Sequence, residues 1–190
     1  MSPEEVRRIL EAAGAVRRGH FRLTSGRHSD LFLLCALVLQ YPERAALLAE
    51  AMAEPYRALG VDVVIGPAVG GIILAHEVAR RLGIRAIFAE KGAGESVVLR
   101  RGFTLRRGER VLAVEDALTT GGSLRKVLDV ARAQGADIVG AAVLVDRSGG
   151  TADLGIPVRA LLTLDVDSWE PEHCPLCRSG VLLVEPKEPG

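Results

Sequence analysis

The chain has 190 residues, enough for one α/β domain with a substantial core. Lys plus Arg and Asp plus Glu balance at 24 each, so overall charge supplies no pull toward nucleic acid or an anionic membrane. Hydrophobic residues make up 48% and aromatics only 4%, so Ala, Val, Leu and Ile must build the core, and no apolar run reaches bilayer length.

Ser2-Pro3-Glu4-Glu5 reads as a helix start, with Ser2 as the cap and Glu5 closing a capping box, rather than as a secretory leader. Val6, Ile9, Leu10 and Ala13 share one face of that helix, which Gly14 ends. Residues 20–39 are β-rich, with a turn at Ser25-Gly26-Arg27. Pro42 opens a helix carrying Leu48, Met52, Tyr56 and Leu59 at helical spacing, which Pro55 kinks or breaks. Strand–helix units follow: strand 61–65, helix 71–82, strand 84–89, strand 111–115, helix 122–134, strand 138–145 and a last strand at 158–164. Residues 96–105 suit a β-hairpin turning near Arg101-Gly102, or a mobile flap. The polar tail from Glu185 is expected to fray. Continuous apolar strands alternating with helices predict a mostly parallel sheet covered on both faces, with ligands beyond the carboxyl ends of its strands.

The most telling segment is Val111-Leu112-Ala113-Val114-Glu115-Asp116-Ala117-Leu118-Thr119-Thr120-Gly121-Gly122-Ser123. A buried strand ends in two carboxylates, a loop of small and hydroxyl residues follows, and a helix begins. Backbone N–H groups of Thr119, Thr120, Gly121, Gly122 and Ser123 can converge on a phosphate at the helix start. Glu115 and Asp116 are placed to accept hydrogen bonds from vicinal sugar hydroxyls. The P-loop lysine and the dinucleotide Gly-x-Gly-x-x-Gly pattern are both absent. An ordinary strand–turn–helix would explain Thr-Gly-Gly-Ser alone, but not the acidic pair before it.

Gly66-Pro67-Ala68-Val69-Gly70-Gly71 is a second such loop, between a strand and a helix. It suits either an anion or simple helix–sheet packing. Asp146-Arg147 ends another strand, where Arg147 can grip a carboxylate bidentately or pair with its neighbour. His173-Cys174-Pro175-Leu176-Cys177 resembles half a zinc site, but Cys35 is remote, so a structural turn, with partial metal or disulfide character left open, is favoured over a functional zinc. His20, His28 and His76 have no partner visible in the sequence, and Trp169 reads as a packing residue. Three cysteines, an odd number, fit a reducing cytoplasm better than a disulfide framework.

The 111–123 segment resembles the phosphoribosyl-pyrophosphate (PRPP) motif of type I phosphoribosyltransferases. Beside it, Phe21-Arg22-Leu23-Thr24-Ser25-Gly26-Arg27-His28-Ser29-Asp30 is similar to the amino-terminal hood of the orotate phosphoribosyltransferases. The resemblance runs from about residue 17 to 147, with four motifs in the family's order, and best fits a branch with a short arginine-bearing loop and a Cys-Pro-x-Cys ending. Several departures stand out: Val69-Gly70 replaces a loop lysine, Thr24 replaces a hood lysine, and of the mobile loop's lysines only Lys91 remains, followed by Arg100 and Arg101.

The resemblance implies a single type I phosphoribosyltransferase domain over 1–190, with a hood at about 1–40 plus the C-terminal segment and a flexible β-hairpin flap at about 90–106. It implies transfer of the phosphoribosyl group of PRPP to orotate. Glu115, Asp116, Lys91 and Arg100 would serve catalysis. PRPP would lie along Glu115, Asp116, Ala117, Leu118, Thr119, Thr120, Gly121, Gly122 and Ser123, with Val69, Gly70 and Gly71 at its pyrophosphate. Orotate would meet Arg147, Thr119, Ser25, Gly26 and Arg27. Mg²⁺ is expected through the PRPP phosphates, with Asp116 as a candidate ligand, in a cytoplasmic homodimer without nucleic-acid or membrane partners. Two rivals stay open. A purine-base phosphoribosyltransferase would leave Arg147 without a role. A PRPP-sensing regulator usually adds a nucleic-acid-binding module, yet only about 16 residues precede the start of the resemblance.

Overall fold

The structure, a computed structural model, describes residues 1–23, 25–94 and 96–185. Thr24 and the last five tail positions, on which two of the expectations above fall, lie outside the described residues.

The chain opens with α1 (Pro3–Ala12), fixed by the expected capping box: Glu5 N–H donates to Ser2 Oγ at 3.2 Å and Ser2 N–H to Glu5 Oε2 at 2.7 Å. Val6 and Leu10 on its inner face are fully buried, contributing on the order of 1.5–3 kcal/mol each. A β-ribbon follows, β1 (Val16–Arg22) and β2 (His28–Leu33), then the short α2 (Ala36–Leu39) where strand had been expected. The helix opened by Pro42 is α3 (Pro42–Ala53); Pro55 sits in a 3₁₀ turn, Glu54–Tyr56, that ends it. Tyr56 is anchored by its hydroxyl, which donates to Ala141 O at 2.8 Å.

The alternating units come next: β3 (Val63–Pro67), α4 (Gly70–Leu82), β4 (Arg85–Lys91), β5 (Val97–Leu99), β6 (Arg110–Leu118), α5 (Gly122–Ala133), β7 (Asp137–Asp146) and β8 (Val158–Thr163). They build a six-stranded sheet in the order β5-β4-β3-β6-β7-β8, parallel throughout except for β5. Helices α1, α3 and α4 pack on one face and α5 on the other, giving the two apolar layers that unbroken Val-Ile-Leu-Ala strands require. Among the described residues no helix is long and apolar enough to cross a membrane.

The expected position of the hairpin turn needs correction. The hairpin turns between Gly92 and Ser96, not at Arg101-Gly102, because Val97, Val98 and Leu99 pair back on Lys91, Glu90 and Ala89. Arg101 and Gly102 do form a turn, with Phe103 N–H bonded to Arg100 O, but it joins no strand pair. The C-terminal segment extends the small β-ribbon. There β9 (Ser168–Trp169) adds a third strand to the β1–β2 ribbon, and α6 (Pro175–Arg178) follows it. This small sheet overhangs the carboxyl end of the main one.

Candidate active site

Strands β3 and β6 are sheet neighbours, so the loops that leave their carboxyl ends emerge side by side. Each runs into a helix whose start lacks a side-chain cap: Val69 before α4 and Gly121 before α5. Their first N–H groups are therefore free to meet an anion, and each macrodipole favours one there. Gly121 is left-handed, with φ 79°, a conformation that favours glycine, and a Cβ on it would also press on the tip of Leu154 at 2.7 Å. Thr119, Thr120 and Ser123 stand exposed around the start of α5, their hydroxyls unburied. Val69 is exposed and the Ala68–Val69 peptide is cis.

Asp116 joins the two loops. A Cβ on Gly70 would lie 2.7 Å from Asp116 Oδ2, so the carboxylate sits directly against the backbone of the first loop. Ala117 N–H donates to Asp116 Oδ1 at 3.0 Å, and among the described residues no Lys or Arg side chain pairs with it. Burial raises its carboxyl above the usual range, only partly offset by that N–H. Glu115 is the more deeply placed of the pair, and burial, with the adjacent Asp116 charge, pushes it up to about 8.

That shift has a measurable consequence. Between its ordinary value of 4.5 and about 8, folded Glu115 holds a proton that the unfolded chain has released. Its contribution to stability is therefore complete at low pH and is lost as pH rises through this window. Glu115→Gln keeps the neutral form throughout. The variant's Tm, relative to wild type, is expected to climb between about pH 5 and pH 8 in the absence of ligand. A Tm difference that stays constant over that range would mean Glu115 is ionised at ordinary pH.

Beyond these loops lies a cleft of about 1340 Å³ between the main sheet and the small overhanging one. Thr119, Thr120 and Arg147 line it from the main sheet, and Ser25 and Arg27 from the β1–β2 loop. Arg147 is half-buried. Its neighbour Asp146 is turned away, accepting from Ser148 N–H and Oγ at 2.7 Å each, so the neighbour salt bridge is not made. Arg147 Nε is buried without a hydrogen-bond partner, and no carboxylate pairs with this side chain among the described residues. Arg27 is already engaged: it donates to Ser168 Oγ at 3.1 Å and to Glu170. Gly26 closes the turn beside it, its N–H bonded to Leu23 O.

The expected residues thus fall into two groups. Asp116, Gly70, Gly71, Thr119, Thr120 and Arg147 come together. Lys91 and Arg100 stand exposed at the β4–β5 edge and do not line the cleft of their own chain. Register does place β4 beside the first loop, since Ala68 N–H donates to Ala89 O at 2.8 Å. Sequence reasoning missed Ser148, Thr151 and Asp153 on the cleft wall, and Arg125, which donates to Asp153 O at 2.6 Å. The signal was available: Arg147-Ser148-Gly149-Gly150-Thr151 is another glycine and hydroxyl loop at a strand's carboxyl end. Phe32, Leu33 and Val166, the apolar wall, gave no such signal.

The phosphoribosyl transferase domain family matches residues 37–176. An orotate phosphoribosyltransferase of Pelotomaculum thermopropionicum is 52% identical over 98% of this chain and 97% of its own length. One from Heliobacterium modesticaldum is 50% identical over 98% of each. The crystal structure of orotate phosphoribosyltransferase from Aeropyrum pernix superposes with a TM-score of 0.71 at 30% identity, covering 84% of this chain and 93% of that one.

Proposed function

The chain belongs to the phosphoribosyltransferase family and, within it, to the orotate phosphoribosyltransferases, and from that premise we propose how its own residues divide the work. The enzyme transfers the phosphoribosyl group of PRPP to orotate, giving orotidine 5′-phosphate and pyrophosphate, a step of pyrimidine biosynthesis. Orotate N1 bonds to ribose C1 as the C1–O bond to pyrophosphate breaks, and the electron pair leaves with the pyrophosphate. C1 passes through oxocarbenium character, so the protein's task is to position two reactants and stabilise departing charge.

The observation that carries the assignment is the pair of helix starts without side-chain caps beside an unpaired arginine. The Thr119, Thr120, Gly121, Gly122 and Ser123 loop, entered through Ala117 and Leu118, holds the 5′-phosphate. Glu115 and Asp116 hold the ribose hydroxyls. The backbone at Val69, Gly70 and Gly71 faces the pyrophosphate. Arg147 takes the orotate carboxylate, with Thr119, Ser25, Gly26 and Arg27 around the base. A neutral purine would leave the Arg147 charge unmatched, which favours orotate over the purine reading. Mg²⁺ suits this donor set, because Asp116 is a buried carboxylate without a cation partner among the described residues. Bound through the PRPP phosphates and Asp116, Mg²⁺ would neutralise charge on the leaving pyrophosphate.

The chain acts as one cytoplasmic domain with a hood, residues 1–40 plus the C-terminal segment, and a flap at about 90–106 that serves a homodimer. Lys91 and Arg100, outside the cleft of their own chain, reach the pyrophosphate of the partner and help exclude water. Mixing an Asp116→Asn protein with a Lys91→Ala/Arg100→Ala protein tests this. After random exchange, mixed dimers should recover up to about a quarter of wild-type turnover. Activity no greater than the parents' sum, with subunit exchange verified, would rule out action in trans.

A further inference from the structure

Away from the cleft, four side chains with metal-binding atoms meet: His20 of β1, His28 at the start of β2, and Cys174 and Cys177 at α6. Their donor atoms all lie within 4.8 Å of one another. His20 Nε2 is 3.0 Å from His28 Nδ1, 3.4 Å from Cys174 Sγ and 3.7 Å from Cys177 Sγ. His28 Nδ1 is 3.3 Å from Cys177 Sγ. A tetrahedral ion with Zn–N of about 2.0–2.1 Å and Zn–S of about 2.3 Å sets its donors roughly 3.3–3.8 Å apart. His20 and His28, which show no partner in the sequence, are thus placed against Cys174 and Cys177 by the fold.

Hydrogen bonding alone does not explain the crowding. His20 Nδ1 lies 2.8 Å from Val181 O, which assigns the ring proton to that nitrogen. Nε2 then offers one lone pair, and three polar atoms surround it. A carbonyl accepting from the far ring nitrogen is the outer partner that a metal-ligating histidine uses to fix its tautomer. His20, His28 and Cys174 are each buried, at 2%, 5% and 0% exposure, where unmatched polar atoms are costly.

We propose that His20 Nε2, His28 Nδ1, Cys174 Sγ and Cys177 Sγ bind one Zn²⁺ in a structural site. Two thiolates and two imidazoles in tetrahedral arrangement select zinc. Four protein ligands leave no open position for a substrate, so the ion's role is to hold chain segments together. Each cysteine gives up its thiol proton on binding, and no oxidant takes part. The ion clasps the β1–β2 ribbon to α6, more than 150 residues on by the 154-residue spacing of His20 and Cys174. The loop held at its two ends by His20 and His28 carries Ser25 and Arg27 into the cleft, and Arg27 reaches Ser168 and Glu170 on the C-terminal side. Zinc thus braces the overhanging sheet that roofs the base end of the cleft.

The test is metal content of the full chain purified without chelator. The expected result is about one zinc per chain. Cys177→Ser, at an exposed position, should lose the metal, and chelator should lower the wild-type Tm until Zn²⁺ is restored. If Cys177→Ser does not fold, wild type reconstituted with Co²⁺ decides: a tetrahedral site with two thiolates gives intense visible bands and thiolate-to-cobalt charge transfer. Wild type that takes up no zinc when refolded with Zn²⁺ would overturn the proposal. So would an intact mass short by two hydrogens from a Cys174–Cys177 disulfide, or full zinc retention in a folded Cys177→Ser protein.

Discussion

Asp116→Asn is expected to lower turnover by about 10²–10³-fold or more while leaving the fold intact, the scale seen when one preorganised polar group is removed from a reacting centre. The carboxylate lies against the backbone of Gly70, where the loop after β3 meets the end of β6, which is where the proposed assignment puts the ribose of PRPP. Among the described residues no Lys or Arg pairs with its charge. Its side chain accepts from the Ala117 N–H, which an asparagine oxygen accepts from equally well. Burial already works against the ionised form, so the Tm of the ligand-free variant should match or exceed wild type. Steady-state turnover and PRPP affinity check this together with Tm. Wild-type turnover and normal PRPP affinity in a Glu115→Gln/Asp116→Asn double variant would remove the acidic pair from the site.

Arg147→Ala is expected to weaken orotate about ten- to a hundredfold and PRPP much less, the roughly 1.5–3 kcal/mol of a charge-assisted hydrogen bond. Burial lowers the guanidinium's affinity for its proton without discharging it, so a cation waits at the cleft with Nε unsatisfied. Since Arg147 makes no ion pair among the described residues, stability should hold. Separate KM measurements for the two substrates give the answer. Equal losses for both would make Arg147 a scaffold residue, and an unchanged orotate KM would detach it from the base altogether.

The main sheet was legible because its strands are unbroken apolar runs that only a doubly covered parallel sheet accommodates. The glycine loops after β3 and β6 were legible for a local reason as well: hydroxyls and glycines at a strand's carboxyl end point to the same place whatever the rest of the chain does. Strand β6 nonetheless runs on to Leu118, through the acidic pair, since backbone pairing with Val143, Val145 and Asp146 outweighs the poor strand propensity of carboxylates. What stayed hidden depends on partners far away in sequence. Ser168–Trp169 is a strand only because His28 and Ser29 pair with it. The glycine at 102 signals a turn, but the hairpin's register is set by Val97, Val98 and Leu99 against β4. His20 and His28 gain meaning only when the C-terminal Cys-Pro-x-Cys folds back onto them.

The most direct measurement is PRPP-dependent pyrophosphate release by the wild-type protein with Mg²⁺ and, in turn, orotate, uracil, adenine, guanine and xanthine. Turnover with orotate alone among these, yielding orotidine 5′-phosphate, is the expected result, because only orotate brings the carboxylate that the proposed assignment gives to Arg147. Turnover of adenine or guanine with orotate inert would contradict it.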